Sequence, residues 1–460
     1  MRQSHTLSMK SLFGTDGIRG EAGRFPLDPP TVSTIGSSLA RYLANAAGRR
    51  PTLIVGRDTR ESGQWIERAL IDGANAAGAE CRSAGVITTP GVAFLTRSLP
   101  ADAGIVISAS HNPYHDNGIK IFSPSGRKLD DSIERLIEAD IFNSEKQNRA
   151  TNPGKLLSST REGEESLQRR YLTFLSDDIG NGLSLSDLTI VVDCANGASS
   201  ALAPALFAHL GARVIAINDQ PNGRNINQDC GSLHIEALQQ RVVAEKANLG
   251  VAFDGDADRA LFVDSNGKYV DGDATLWVLA NHLQMKSQLR HNLVVATVMS
   301  NIGLEIALRS RAVRLVRTDV GDKYVLEELL RVGASLGGEQ SGHIIFPQLS
   351  LAGDGMITAL ALLRALREQE KSLAELTSGF EAFPQVLVNV PVREKRPFAD
   401  LPTVQQIASE TEEKLSGRGR LLLRYSGTEP LARIMIEGQK QSEIEDYARN
   451  IAAVIRQALG

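Results

Sequence analysis

Two short stretches of this chain carry side chains able to do chemistry together. Ser-Ala-Ser-His-Asn-Pro at 108–113 sets the hydroxyl of Ser110 beside the imidazole of His111, and Asp-Gly-Asp-Ala-Asp-Arg at 254–259 gives three carboxylates at two-residue spacing followed by a fixed cation. A serine hydroxyl is a weak nucleophile, but as a phosphoester it becomes a stored phosphoryl group of charge about −1.5 to −2. Asp254, Asp256 and Asp258 alternate so that they can converge on one hard cation, with Arg259 placed to meet an anion beside it. Magnesium keeps positions open for phosphate oxygens, so the two motifs suit holding phosphate on serine, clamping it with a divalent metal and passing it to a substrate oxygen. A calcium EF-hand is excluded, because the sixth loop position is Arg259 instead of glycine and the twelfth is Ser265 instead of glutamate.

Four further segments could serve the same chemistry. Gly337 to His343 reads Gly-Gly-Glu-Gln-Ser-Gly-His, in which Glu339 and Ser341 suit adjacent sugar hydroxyls and His343 adds an imidazole. Arg424-Tyr-Ser-Gly-Thr-Glu-Pro430, with Arg433 beyond it, reads as an anion nest: amides around Gly427, the hydroxyls of Ser426 and Thr428, and the guanidinium forks of Arg424 and Arg433 can envelop a phosphate. The glycine-rich turn from Phe13 to Gly20 carries Arg19, and Asp116 to Lys120 places Lys120 ten residues beyond Ser110, on what reads as the next strand. Surface cations are the plain alternative for both.

These loops need a scaffold. Ile105 to Ile107 reads as a buried strand that delivers Ser110 just past its end, and Gly250 to Phe253 as another that delivers Asp254. Leu53 to Val55, Ile190 to Val192 and Val294 to Ala296 are β-branched runs, each followed by a polar turn and a helical apolar period such as Trp65 to Leu70; they predict three related α/β units. Val386 to Val392, Arg420 to Leu423 and Ile434 to Ile436 predict strands and Ile444 to Leu459 an amphipathic helix, a smaller α+β domain at the end. The expected boundaries are 1–162, 163–266, 267–380 and 381–460, with charged or loop-like stretches near 158–165 and 380–385 as the breaks.

Bulk properties narrow the field. At 460 residues the chain exceeds a single hydrophobic core. Lys and Arg number 50 against 54 Asp and Glu, so no overall charge draws it to nucleic acid or an anionic membrane, and any anion must be held by a local site. Cys81, Cys194 and Cys230 are far apart with no Cys-x-x-Cys pair, which argues against disulfides or a cysteine zinc site and fits a reducing cytoplasm. Met1 to Lys10 has no apolar core for a signal peptide, no run approaches a membrane span, and Met9 offers a second start.

Taken in order, these motifs resemble the α-D-phosphohexomutase superfamily from Phe13 to the C-terminal helix and, within it, are most similar to the bacterial phosphoglucosamine mutases. The finer resemblance rests on Ser108, Gln340, Val320-Gly321-Asp322-Lys323-Tyr324 and Phe-Gly-Thr-Asp-Gly-Ile-Arg-Gly at 13–20. Two departures are Ile235 after His234, and Leu351-Ala352 before Gly353-Asp354-Gly355, the second at a cleft-edge loop. The resemblance implies an α/β four-domain architecture, three α/β/α domains with mixed sheets and a smaller C-terminal α+β domain around a central cleft. It also implies interconversion of glucosamine 6-phosphate and glucosamine 1-phosphate through phosphorylated Ser110 and a glucosamine 1,6-bisphosphate, with Mg²⁺ between Ser110 and Asp254, Asp256 and Asp258. Arg19 and Arg259 are then expected to stabilise transferred phosphate, His111 and His343 to position it, and Lys120 to act as general base or acid with a pKa lowered by burial among cations. The partners expected are a sugar phosphate, a kinase or bisphosphate donor that first phosphorylates Ser110, and room for a homodimer; nucleic acid and membrane are not expected. The rivals are a phosphoglucomutase or phosphomannomutase of the same superfamily, a serine-nucleophile phosphatase and a non-catalytic sugar-phosphate sensor.

Overall fold

The computed structural model describes residues 12–14, 16–147, 160–415, 417–426 and 429–460. The second start at Met9 therefore lies outside the described residues. The chain divides into two compact units, one of Met1–Val298 with Val316–Thr377 and the other of Met299–Leu315 with Ser378–Gly460.

The larger unit holds three mixed sheets. The first contains β1 (Phe13–Gly14), β2 (Gly17–Glu21), β3 (Thr52–Arg57), β4 (Glu80–Val86), β5 (Ala103–Ile107) and β6 (Asp116–Phe122), in spatial order β1-β2-β6-β5-β3-β4. β3 runs parallel to β4 and β5, whereas β6 lies antiparallel to β5 and β2. The second contains β7 (Thr189–Asp193), β8 (Arg213–Ile217), β9 (Leu249–Phe253), β10 (Ala260–Asp264) and β11 (Tyr269–Val270), in order β11-β10-β9-β7-β8. The third contains β12 (Leu293–Thr297), β13 (Arg314–Thr318), β14 (Gly337–Gly338) and β15 (Ile344–Ile345), in order β13-β12-β14-β15.

The central strands β5, β9 and β12 are buried at every position, which is why they read as unbroken apolar runs instead of alternating ones. Each predicted strand-to-helix unit is present: β3 leads to the helix Gly63–Ala76, β7 to Leu202–His209 and β12 to Ile302–Ser310. The helix Pro29–Ala47, packed on the first sheet, shows how local sequence sets an element. The Asp28 carboxylate caps its start by accepting from Thr31 N–H, Pro29 needs no donor there, and Gly48 closes it at φ 64°. Within the charged stretch near 158–165, Thr160 caps a helix over Arg161–Thr173, and residues 158 and 159 lie outside the described residues. That helix lies on β4, where the Gln168 side-chain amide donates to Ala84 O and Val86 O.

The smaller unit is built on β16 (Gln385–Pro391), β17 (Gly419–Tyr425) and β18 (Leu431–Gly438), all antiparallel, in order β16-β18-β17. The helix Gln441–Leu459 buries Ile444, Ala448, Ile451, Ala452, Ile455 and Leu459 in this unit's core, the three- and four-residue spacing of one helix face. Each buried isoleucine there contributes roughly 1.5–3 kcal/mol. The helix Ile302–Ser310 belongs to this unit: Asn301 exchanges hydrogen bonds with the Phe383 backbone, and the buried Glu437 carboxylate accepts from Ile302 N–H.

Candidate active site

Ser110 follows β5 on a loop whose backbone turns through φ 53°, a left-handed conformation that a serine adopts at a cost of about 1–2 kcal/mol. Its Oγ donates to Asp254 Oδ2 at 2.5 Å, across 144 residues of sequence, and lies 3.4 Å from His111 Nδ1. Asp254, Asp256 and Asp258 follow β9 and are all buried, with a ligand atom of each within 4.8 Å of the others. The serine loop and the carboxylate loop leave the ends of neighbouring α/β sheets, where such folds bind ligands.

Gly255 makes the meeting possible. A Cβ there would stand 2.5 Å from Ser110 O, closer than any side chain can approach. The carboxylate loop also reaches the helix Thr89–Ser98 that follows β4, because Thr89 Oγ1 donates to Asp256 Oδ2 at 2.6 Å and Thr89 N–H donates to Asp256 O at 3.0 Å.

The three carboxylates crowd one another. Burial, then Asp258 and Asp256, pushes the Asp254 carboxyl well above the ordinary range. Burial also acts to raise Asp258, but Lys120, His343 and Arg259 outweigh it and hold that carboxyl well below. Asp256 Oδ1 and Asp258 Oδ1 are buried without a hydrogen-bond donor. Three converging hard oxygen donors, two with oxygens left unserved, fit a divalent cation.

Lys120, on β6, is buried with Nζ 2.9 Å from Asp256 Oδ2, 3.1 Å from Asp16 Oδ2 and 3.6 Å from Asp258 Oδ2. The expectation of a pKa lowered among cations is corrected by this arrangement. Burial does pull the ammonium down, but Asp16, Asp256 and Asp258 prevail over it and over Arg19, and Lys120 is raised well above its ordinary value. His343 behaves alike: burial lowers it, yet Asp258, at 3.6 Å from Nδ1, with Asp322 and Glu339, raises it to about 9. His111 goes the other way, lowered to about 4 by burial and by Arg259 and Arg19.

Arg19 pairs with Asp16, and Arg259 lies along the triad with Nε 3.8 Å from Asp258 Oδ1; both Nε atoms are buried without a hydrogen bond. Glu339 follows β14, and its Oε1 accepts from Gly321 N–H at 3.1 Å, while Ser341 Oγ is buried and unpartnered. Arg19, His111, Arg259, Glu339 and His343 all line one cavity of about 530 Å³. A second cavity of about 390 Å³, lined by Lys120, Lys128, Leu351 and Ala352 among others, shares Asp16, Asp258, Asp322 and His343 with the first. The departure at Leu351-Ala352 therefore falls on a cavity wall. The glycine after it is needed where it stands, since a Cβ on Gly353 would sit 2.2 Å from His343 Nε2.

Several site residues escaped the motif reading. Asp16 bridges Lys120 and Lys128, and Lys128 Nζ reaches Asp322 at 2.7 Å, so a partly buried ion network lines the two cavities. Asp16 and Asp322 stand inside the stretches quoted at 13–20 and 320–324 but were given no role there, Asp322 opening the helix Asp322–Val332, and Lys128 follows β6 in a segment of ordinary polarity. Gln340, a marker of the resemblance, donates to Asp271 Oδ2 at 3.2 Å and lines neither cavity.

In the smaller unit, Arg424 and Arg433 are directly opposed across β17 and β18, so both guanidinium groups rise from one face of the hairpin. Like charges in that register repel unless an anion lies between them. Arg433 Nη2 donates to Ser426 Oγ at 3.3 Å and Glu429 Oε2 at 3.2 Å, Arg433 Nε is buried without a hydrogen bond, and Lys395, unremarked in the sequence, donates to Ser426 O at 2.6 Å. Gly427 and Thr428 lie outside the described residues.

Family models described as phosphoglucomutase/phosphomannomutase match the chain in four consecutive pieces: alpha/beta/alpha domain I over 10–148, domain II over 169–267, domain III over 271–383 and the C-terminal domain over 387–454. The chain belongs to this family. Relatives within it include a phosphoglucosamine mutase from Solibacter usitatus, 52% identical over 98% of this chain and 99% of that one, and another from Citrifermentans bemidjiense, 46% identical over 98% and 99%. Among solved structures, a phosphoglucomutase/phosphomannomutase family protein from Burkholderia thailandensis covers 97% of each chain at TM-score 0.78 and 22% identity. The Aspergillus fumigatus N-acetylphosphoglucosamine mutase, in complex with GlcNAc-6P and magnesium, covers 98% of this chain and 96% of its own at TM-score 0.64 and 18% identity. Both share the family fold. Among the described residues no helix is long and apolar enough to cross a membrane.

Proposed function

We propose that this chain is a phosphoglucosamine mutase, an isomerase that moves a phosphoryl group between O6 and O1 of glucosamine by way of Ser110. One observation carries the reading: in a chain 52% identical to a named phosphoglucosamine mutase, Ser110 Oγ lies within 2.5 Å of a buried carboxylate triad.

Ser110, once phosphorylated, and Asp254, Asp256 and Asp258 are the residues that would hold magnesium. Bound there, the ion would withdraw charge from the phosphoryl oxygens. Arg19 and Arg259 add fixed positive charge beside it, with donors free for phosphate oxygens. Lys120 is charged in this setting, so its part is to stabilise the transferred phosphoryl group and to donate a proton to the departing oxygen. His343, charged near neutral pH, serves as a second proton donor, and neutral His111 positions the hydroxyl of Ser110.

In the first half-reaction the phosphoryl group passes from Ser110 to O1 of glucosamine 6-phosphate; the bond from phosphorus to Oγ breaks, the bond to O1 forms, Lys120 gives its proton to Oγ, and the O1 proton replaces it on Lys120. The resulting 1,6-bisphosphate turns end over end, and O6 returns its phosphoryl group to Ser110. Glu339 and Ser341 grip hydroxyls in both orientations, and Arg424, Ser426, Gly427, Thr428 and Arg433 are the residues that take the phosphate not in transfer. The free thiols of Cys81, Cys194 and Cys230 suit a reducing cytoplasm.

Ser110→Ala tests the covalent route: turnover of glucosamine 6-phosphate in a coupled assay is expected to vanish with circular dichroism unchanged. A near-normal rate in that variant overturns the reading. Parallel assays with glucose 6-phosphate and mannose 6-phosphate, and of released inorganic phosphate, separate an amino-sugar mutase from its relatives and from a phosphatase.

A further inference from the structure

The side chain most fully committed to the phosphoacceptor loop touches no substrate cavity. Arg60, buried at the start of the turn after β3, reaches across fifty residues of sequence to the main chain around Ser110. Its Nη2 donates to Ser110 O at 3.0 Å and to Asn112 O at 2.8 Å, and its Nη1 donates to Asp116 O at 2.9 Å and to Pro113 O. Nε donates to the buried carboxylate of Asp58 at 2.8 Å. Asp58 in turn accepts from Ser108 Oγ at 2.6 Å, and Ser108 Oγ accepts from Ser110 N–H at 2.9 Å.

Both peptide groups of Ser110 are thereby fixed by one buried ion pair, the carbonyl through Arg60 and the N–H through Ser108 and Asp58. Asn227 adds a second donor to the same carbonyl at 2.8 Å. A buried ion pair is a weak source of net stability, because desolvation offsets most of the attraction. It is a strong source of geometric definition, since a planar guanidinium bonds several carbonyls only in one arrangement. Ser110 is also held at φ 53°, which the loop would leave if its bonds were released.

We infer that Arg60, acting with Asp58 and Ser108, is a positioning residue for phosphoryl transfer: it fixes the left-handed turn that points Ser110 Oγ at the carboxylate triad. The inference rests on Ser110 as phosphoacceptor and adds a residue that neither meets the sugar nor binds the metal. A displacement of about 1 Å at a reacting atom lowers turnover on the order of 100-fold. Loss of the clamp is therefore expected to depress kcat and the phosphorylation of Ser110, while sugar-phosphate binding stays as it was.

The test follows label from a ³²P-hexose 1,6-bisphosphate onto Ser110 of the full chain. In that step the bond from phosphorus to the sugar oxygen breaks, the bond to Oγ forms, and the serine proton ends on the sugar hydroxyl. Wild type labels rapidly if the phosphoserine reading holds; absence of label in wild type overturns that reading and the inference with it. Given labelled wild type, Arg60→Lys is expected to label and turn over at least about tenfold more slowly, with KM within about twofold. Ser108→Ala, which removes only the hydroxyl on the other side of the turn, shows the same split if the clamp works as inferred, and decides the matter if Arg60→Lys does not fold. Labelling at the wild-type rate, or a loss of rate that only follows the folded fraction by circular dichroism, overturns the positioning role.

Discussion

Gly255 lies between two proposed metal ligands, and its lack of a side chain is what lets the carboxylate loop rest against the serine loop. Gly255→Ala places a methyl 2.5 Å from Ser110 O and 2.9 Å from Asn227 Nδ2, where ordinary contact begins at 3.4 Å, so the two loops must part by about 0.9 Å. The hydrogen bond from Ser110 Oγ to Asp254, 2.5 Å long, cannot survive that separation. Misplacement on this scale lowers kcat on the order of 100-fold, equivalent to about 2.7 kcal/mol of barrier. The measurement is kcat and KM for glucosamine 6-phosphate in a coupled assay, beside a magnesium titration and a thermal melt to account for folding. A Gly255→Ala protein with kcat within twofold of wild type would refute the close meeting of the two loops as the basis of the site.

Three further outcomes are expected. Asp256→Asn removes a proposed ligand, so turnover should fall and the magnesium concentration for half-activity should rise by about tenfold or more; wild-type turnover that persists in chelator would remove the metal from the reaction. Arg433→Ala deletes a fork of charge-assisted hydrogen bonds of about 1.5–3 kcal/mol, so KM for the sugar phosphate should rise roughly 10- to 100-fold, and an unchanged KM would clear the β17–β18 turn of phosphate binding. Asp354, which accepts from Tyr171 at 2.6 Å, is raised from 3.8 to about 6, chiefly by burial. The folded state then holds a proton that the unfolded state has lost, so this group's contribution is complete below pH 3.8 and declines as pH rises to about 6, by about 3 kcal/mol. Melts between pH 4 and 6.5 should therefore fall more steeply in wild type than in Asp354→Asn; parallel curves would contradict the assignment.

Much of this was legible in the chain because the informative residues sit at strand ends. Unbroken apolar runs marked β5 and β9, and the polar residues that follow them, Ser110 and Asp254, are the ones that meet. Asp58 and Arg60 were hidden by their own spacing: an acid and a base two residues apart after a strand read as a solvated turn, and only the folded neighbourhood shows them buried. For Lys120 the position was legible and the charge environment was not. Arg19 and Arg259 are conspicuous in sequence, whereas Asp16 comes close to the ammonium only through the pairing of β2 with β6, so the sign of the shift depends on a sheet register. The helix Ile302–Ser310 follows β12 as expected, and its bonds to the Phe383 backbone and Glu437 were not legible from its place in the chain.

Because the guanidinium of Arg60 grips carbonyl oxygens, and Ser108 is the loop side chain that completes the clamp, the rest of the turn is specified with little regard to which amino acids decorate it. Tyr114 and His115, whose side chains take no part in that grip, are free to drift or to be randomised in a library while Ser110 keeps its place. A scaffold of this kind tolerates change along the outside of its loop without relearning how to present its serine.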